Sequence, residues 1–446
     1  MTNISMKFLA KIWALWIVAY ITNIHAAAQL SAPLPSPLTL EYALSLAGNN
    51  NNPGVQMAKS EHLLSLSEKT LFESKYDFQV GIYGQLSAVK PSILLPDNYP
   101  DRNTDHELNL SVSKRLYDFG RKSNQLEVSS NQLNAANMLL KSSKKTHYLQ
   151  ILQAYFNVIL ADLEFFYYNE AMAIAYIQYD RAKHKFDSKK ISELEFLRIE
   201  ADYRNVSVER GKSENAQRIK RSILAINLDT PEQLPSDLNT PDLSTIPSFS
   251  IKRELPEIKK LQKIVVENNL DLKEINYQIT AEKKQQQAYY ADKYPIIDGK
   301  LEAAWYSREL GGSDQGVATL SIKIPVYQGG EVDARVAISH AKLFKLEALY
   351  RQLAMQLRHR VLQSWMSLQN LKQQYQQVQI ELSYRELYLD KSRAEYESEL
   401  KSDLGSAMVF LSAAQLEEKK ILYKMAYQWA ELDILLASEQ LYGYGY

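Results

Sequence analysis

The chain has 446 residues, no cysteine, and a formal net charge of zero from 52 basic and 52 acidic side chains. The lack of cysteine excludes a disulfide framework, a thiolate metal site and a lipid anchor on an N-terminal cysteine. The charge balance leaves no basic footprint for nucleic acid, which is not expected as a partner, and the length allows two or three domains.

The chain opens on what reads as an export signal. Lys7 and Lys11 precede the ten-residue apolar run Ile12–Ile21, and Ala26-Ala27-Ala28 offers small residues for cleavage. Residues 1–28 are therefore expected to be a signal peptide, with Gln29 opening the mature chain. The apolar run is too short to cross a bilayer as a helix, which takes about 20 residues. No later stretch is expected to be long and apolar enough either, so the membrane routes left are a β-barrel or a surface helix.

Four short runs alternate polar and apolar residues. Residues 77–88 set Phe78, Val80, Ile82 and Leu86 against Asp77, Gln79, Tyr83 and Gln85. In the next run (107–117), Leu108, Leu110 and Val112 face Asn109, Ser111 and Ser113. Two later runs, at 296–307 and 316–327, set Ile297, Leu301, Ala303 and Trp305 against Asp298, Lys300 and Glu302, and Ala318, Leu320 and Ile322 against Thr319, Ser321 and Lys323. A period of two marks strands with one apolar and one wet face. Each is close to the roughly 9–11 residues that cross a bilayer when tilted. Four strands cannot close a membrane barrel, for which about eight is the smallest number, and an open edge in lipid leaves backbone groups unsatisfied. Either these are ordinary hairpins, or several copies of the chain share one barrel. The connecting loops, 90–105 and 309–315, belong at the outer end, since the other strand ends feed into helices.

Long helical sequence follows each strand pair. From Arg121 to Ser188 there are 68 residues without proline or glycine, roughly 100 Å at 1.5 Å per residue. That exceeds any compact domain and calls for a rod or tube. Leu149, Leu152, Phe156, Ile159, Leu163 and Phe166 step by threes and fours, as do Leu343, Leu346, Tyr350, Leu353 and Leu357, continued by Trp365, Leu368, Leu371, Tyr375, Val378 and Leu382. These are coiled-coil seams. The companion helix in the first half is expected to end near Asn227. Pro231, Pro235, Pro241, Pro247 and Pro256 mark 229–257 as an extended crossover.

The two halves repeat each other. Leu116-Tyr117-Asp118-Phe119-Gly120 aligns with Val326-Tyr327-Gln328-Gly329-Gly330, Leu152–Tyr155 with Leu362–Trp365, and Ala182…Phe186 with Ser392…Tyr396, all at an offset of 210. Phe196-Leu197 aligns with Phe410-Leu411 at 214, so the second copy has gained four residues near 400–406, about one helical turn. Residues 29–228 and 258–438 are thus expected to be two structural repeats with tips near 187–193 and 397–406, followed by a tail at 439–446. Of the 29 tyrosines, Tyr76, Tyr83, Tyr99, Tyr117, Tyr294, Tyr306 and Tyr327 fall near strand ends. They read either as interfacial belts or as helix-packing rings with wet hydroxyls.

The order strand–strand–long helix–tip–long helix, occurring twice, resembles the TolC-type outer-membrane efflux proteins. So do Tyr117-Asp118-Phe119-Gly120, Tyr327-Gln328-Gly329-Gly330, and Thr39–Leu44 with Asn52-Pro53 near the start. The resemblance implies an α+β membrane protein. In it a homotrimer shares a 12-stranded β-barrel, four strands per chain, continuous with a long antiparallel coiled-coil α-helical barrel. It further implies an outer-membrane location in a Gram-negative bacterium, spanning much of the periplasm, and a passive exit duct for a tripartite efflux pump or type I secretion system. The implied partners are a periplasmic membrane-fusion adaptor, an inner-membrane transporter of the RND, ABC or MFS type, and outer-membrane lipid. A reading of a different class is a periplasmic coiled-coil adaptor or scaffold without a channel.

Two residue sets carry the expected function. Asn109, Ser111, Ser113, Asp298, Lys300, Glu302 and Thr319 form the wet strand faces that would line a barrel lumen. At the tips, Lys189, Lys190 and Glu193, with Glu399, Lys401 and Asp403, would form a gate if the turns converge on one axis; otherwise they are solvated turns. The sequence departs from the family where a tip glycine is usual, reading Phe186-Asp187-Ser188-Lys189 and Tyr396-Glu397-Ser398-Glu399, and Gly405 arrives with the extra turn. No catalytic or cofactor pattern is present. The seven histidines (25, 62, 106, 147, 184, 340 and 359) show no metal-ligand spacing, and Gly211-Lys212-Ser213 lacks the upstream glycine of a phosphate loop. No enzyme, cofactor or metal is expected.

Overall fold

A computed structural model describes residues 34–48, 52–88, 104–243, 246, 249–306, 315–398 and 403–437. The expected signal peptide, most of the two strand-connecting loops, Tyr99, Glu399, Lys401 and the C-terminal tail lie outside the described residues.

In chain order the elements are α1 (Leu40–Ser45), α2 (Pro53–Lys75), β1 (Gln79–Ala88), β2 (Thr104–Tyr117), α3 (Arg121–Asp187), α4 (Glu193–Asn227), α5 (Ile258–Asn268), α6 (Leu270–Ala291), β3 (Ile296–Tyr306), β4 (Gly316–Lys323), α7 (Glu331–Glu397) and α8 (Leu404–Leu435). Five of these helices start on a side-chain cap, whereas α3, α5 and α7 do not. Thr39 accepts from the amide of Tyr42, and Asn52 from Gly54 just before Pro53 at the first helical position. Both α3 and α7 are 67 residues long, roughly 100 Å each.

The strands form one sheet in the order β1-β2-β3-β4, every neighbour antiparallel. β2 starts at Thr104, earlier than the alternation suggested, and β4 stops at Lys323 rather than running to 327. Pro325 has no N–H to give a ladder, and Val326 and Tyr327 stand almost fully exposed beyond it. The chain then leaves sheet for helix through left-handed backbone at Gly120 (φ 86°) and Gly330 (φ 79°), a region that costs an L side chain roughly 1–2 kcal/mol. Phe119 also has positive φ (53°), where the second repeat has Gly329. Its ring is held between Tyr117 and Tyr294, with centroids 4.7 and 5.5 Å away.

The helices pack lengthwise, α3 against α4, α6, α2 and α8, and α7 against α8, α6 and α5. Two cores form. One gathers Leu38, Leu40, Leu44, Ile151, Leu152, Tyr155, Phe156, Leu224 and Tyr423 at the waist, where α1 and the crossover wrap the middle of α3. The other gathers Leu261, Val265, Val361, Leu368, Leu371, Met425 and Trp429 around α7 and α8. Most seam residues lie in these cores; Leu343, Leu346 and Leu382 lie outside both, and Phe166 is largely exposed. One expectation is corrected: α3 does contain a stretch long and apolar enough to cross a membrane by length and composition. It is apolar because Ile151, Leu152, Tyr155, Phe156 and Val158 are covered on several sides at the waist.

The crossover is fastened at two points. A parallel bridge joins Leu38 to Leu238, and the Tyr155 hydroxyl reaches the carbonyls of Leu38 (2.9 Å) and Asn239 (2.7 Å). Burial pushes the Tyr155 hydroxyl well above the ordinary tyrosine range, so it remains a donor at any physiological pH. Further along, both Arg253 guanidinium nitrogens donate to Asp433 at 2.8 Å, and the guanidinium lies 4.1 Å from the Trp429 ring. Replacing Tyr155 by Phe leaves two carbonyls at the waist without their shared donor. It should cost about 1–3 kcal/mol, read as a lower thermal midpoint of the purified protein; an unchanged midpoint would mean the bridge holds without the hydroxyl.

Candidate functional site

The strand register assigns each sheet residue to a face. Asn109, Ser111, Ser113, Asp298, Lys300, Glu302 and Thr319 share one face, along with Gln79, Tyr83, Gln85, Arg115 and Ser321. Charges on this face are matched to neighbours. Arg115 Nε donates to Asp298 at 2.9 Å, Lys300 Nζ lies 2.7 Å from Glu302, and Asn109 Nδ2 reaches Glu302 at 3.5 Å. Tyr83 donates to Gln85, and Gln85 to Ser87. The wall is thus wet and of mixed sign, with Asp298 answered by Arg115 and Glu302 by Lys300. Arg115 was absent from the expected set although its parity with Ser111 and Ser113 places it on the same face.

The other face carries Val80, Ile82, Leu86, Leu108, Leu110, Val112, Leu301, Ala303, Trp305, Ala318, Leu320 and Ile322. It is uncovered: Ile82 is 75% exposed and Leu86 84%. Of the tyrosines expected at a belt, Tyr117, Tyr294 and Tyr327 stand exposed at the helix end of the sheet, whereas Tyr76 is buried and donates to Gln125. Tyr83 and Tyr306 fall on the polar face, because their parity is that of Gln85 and Glu302.

The first tip, residues 188–192, joins α3 to α4. Lys190 donates its amide to the Lys185 carbonyl and Lys189 to that of Phe186, each at 2.8 Å. This pair of bonds is the Schellman arrangement, whose left-handed residue is usually glycine. Here that residue is Lys189, at φ 57°. Ser192 caps α4 by accepting from Glu195, and Phe186, Phe196, Tyr179 and Tyr203 stack across the two helices, with the Phe186 and Phe196 rings 4.9 Å apart. Lys189, Lys190 and Glu193 are exposed and make no ion pair with a described residue.

At the second tip Asp403 caps α8, accepting from the Ser406 amide at 3.1 Å. A Cβ on Gly405 would sit 2.8 Å from Cδ1 of Ile174, so the glycine permits α8 to approach α3. Below it, Ser412 meets Glu170, and the Phe156 and Tyr423 rings stack at 4.8 Å. Gly405 thus packs on α3 thirteen residues short of its end at Asp187, and no ion pair joins Lys189, Lys190 or Glu193 to Asp403 among the described residues. The Gly211-Lys212-Ser213 run lies inside α4, as a helix and not a phosphate loop.

Residues 261–438 match the family model described as outer membrane efflux protein. No curated protein matches the chain in sequence. Among solved structures the chain is similar to the CusC channel (18% identity, TM-score 0.69, 88% of this chain and 91% of that one). It is also similar to the CmeC outer-membrane channel of Campylobacter jejuni (15%, TM-score 0.70, 88% and 84%) and to VceC of Vibrio cholerae (15%, 0.67, 90% and 95%). The resemblance to TolC-type outer-membrane efflux proteins is therefore borne out. The second repeat carries the family's sequence pattern, and the chain as a whole has the fold.

Replacing Lys189 by Gly relieves a left-handed side chain without touching a packed group. It should stabilise the protein by about 1 kcal/mol, a rise of a few degrees in thermal midpoint; a fall would mean the Lys189 side chain contributes a contact worth more than the strain.

Proposed function

We propose that three copies of the chain form an outer-membrane channel whose helices continue as a tunnel into the periplasm of a Gram-negative bacterium. The observation that carries this is the sheet: four strands, two open edges, one exposed apolar face and one wet face. An apolar face of membrane-crossing height belongs in lipid, where an open edge is not tolerated. β1 and β4 run antiparallel to each other, so β4 of one copy can pair with β1 of the next without breaking the alternation. Three copies give a closed barrel of twelve strands, comfortably within the range of outer-membrane barrels. Its lumen is the face of Asn109, Ser111, Ser113, Asp298, Lys300, Glu302 and Thr319, whose mixed charge favours no single sign of solute.

The tunnel acts as a passive exit duct of a tripartite efflux pump or a type I secretion system. A periplasmic adaptor and an inner-membrane transporter supply engagement and energy. A scaffold without a channel has no use for a bare apolar sheet face, and nothing in the helices favours it. Native mass measured on protein extracted in mild detergent from isolated outer membranes should give a trimer. A soluble monomer or dimer would overturn the channel.

Lys189, Lys190, Glu193 and Asp403, with Glu399 and Lys401, are the gate in this reading, with inter-chain charge pairs holding the entrance shut. The lack of ion-pair partners for Lys189, Lys190 and Glu193 among the described residues supports it. The pair Glu193→Gln and Asp403→Asn removes two charges and keeps the cap, since Asn caps a helix as well as Asp. Single-channel conductance should rise in this variant; unchanged conductance would sink the gate and leave the channel standing.

A further inference from the structure

The apolar face of the sheet has an open notch of about 320 Å³, lined by Phe78, Val112, Leu116, Leu301, Ala318 and Leu320. It lies beside Gly299, over which the Leu116 side chain leans. The notch is at the small end of the roughly 300–1,000 Å³ typical of ligand clefts, enough for one flexible apolar chain. At its rim is Lys114, paired in register with Gly299. Among the described residues it is the one lysine, arginine or carboxylate on this face. Its ammonium lies 3.9 Å from the centroid of the Phe78 ring and has no ion-pair partner among the described residues.

The position of Lys114 matters. It stands three residues before Tyr117, about 10 Å along the strand at 3.3 Å per residue, and less in depth because barrel strands tilt. The stacked Tyr117, Phe119 and Tyr294 rings mark the interface just beyond it. A lysine at mid-bilayer on a lipid face costs about 2–4 kcal/mol, falling toward zero at the interface. Lys114 therefore sits where a lysine is tolerated if its ammonium meets an anion at headgroup level. The acidic side chains of the sheet cannot serve, since Asp298 and Glu302 point to the opposite face.

We propose that this notch is a binding site for one anionic glycerophospholipid per chain, in the leaflet on the helix side. An acyl chain lies in the notch between Phe78, Leu116, Ala318 and Leu320, and the phosphodiester oxygens pair with the Lys114 ammonium, while Phe78 supports the cation from the other side. The site rests on the reading of the sheet as part of a membrane barrel. Charge complementarity selects a lipid of net negative charge over a zwitterionic one, whose own amine competes for the phosphate.

The test uses the detergent-extracted trimer exposed to mixed micelles containing phosphatidylglycerol and phosphatidylethanolamine in equal amounts, with bound lipids counted by native mass spectrometry. Wild-type trimer should retain up to three phosphatidylglycerols, favoured about fivefold per site, the ratio corresponding to the roughly 1 kcal/mol that one lysine gains beside an anionic lipid. Lys114→Gln should abolish that preference, and Ala318→Phe, which fills the notch, should lower the number of lipids retained with Lys114 in place. Lys300→Gln on the lumen face should leave both unchanged. Trimers of Lys114→Gln that hold phosphatidylglycerol like wild type would overturn the site alone, as would equal loss from Lys300→Gln. Failure of the wild-type chain to form a trimer would overturn the barrel and the site with it.

Discussion

Unpaired backbone groups at the two sheet edges are the constraint from which the architecture follows. Each chain brings four strands, and β1 and β4 each leave one side unpaired. In water that edge is a hazard for aggregation; in lipid each bare N–H or C=O costs several kcal/mol. The exposed row Val80, Ile82 and Leu86 opposes solvation of the sheet, and the open edges oppose burial of a single copy in lipid. Only closure with other copies satisfies both. In the proposed trimer an even number of strands per chain makes that closure antiparallel at every seam, so the hydrogen-bond pattern inside a chain would continue between chains.

The joint between sheet and helices must then carry the alignment of two very different structures. Gly120 and Gly330 turn the chain, but an ion-pair network holds the result. Arg121 at the start of α3 and Arg335 in the first turns of α7 both pair with Asp292 at the end of α6, while Lys293 and Asp333 pair at 2.6 Å. Arg121 and Asp292 are largely shielded, where charge pairs are less screened than on an open surface. Just above, Arg115 and Asp298 tie β2 to β3 at the bulge. Three helices and two strands from both repeats therefore meet through Asp292 and its neighbours. The order of elements is local, but the joint is made between repeats.

Much of this was legible because periodicity is a direct consequence of burial. The period of two gave the strands and their faces, and all seven expected lumen residues fall on one face. The threes and fours gave α3 and α7, and the absence of proline and glycine from Arg121 to Ser188 gave the length of α3. What was not legible depends on contacts across the fold. The early end of β4 was available in Pro325 but was outweighed by the alternation of Ala318, Leu320, Ile322 and Ile324. Tyr83 and Tyr306 were grouped with belt residues by type, although their parity puts them on the wet face. The apolar middle of α3 does not announce that α1 and the crossover will cover it, and the Arg253–Asp433 clamp joins residues 180 apart. Glu399 and Lys401 lie outside the described residues, so the proposed gate is only partly placed.

Duplication has left the two tips with different physics. The first is built on one helix pair. A Schellman turn is forced through Lys189, and stacked aromatics join α3 to α4. In the second, the glycine serves packing and not the turn, since Gly405 lets α8 press against Ile174 of α3, which belongs to the other repeat. The four added residues thus supply the glycine through which the second hairpin packs on the first. Two equivalent hairpins free to move separately would leave the entrance without a defined shape. Coupled at Gly405 and again by Ser412 with Glu170, they must move as one body in each chain. In the proposed trimer, opening an entrance made of three such bodies requires breaking contacts between chains and not within them, and Lys189, Lys190 and Glu193, exposed and without an ion pair among the described residues, are the proposed contacts.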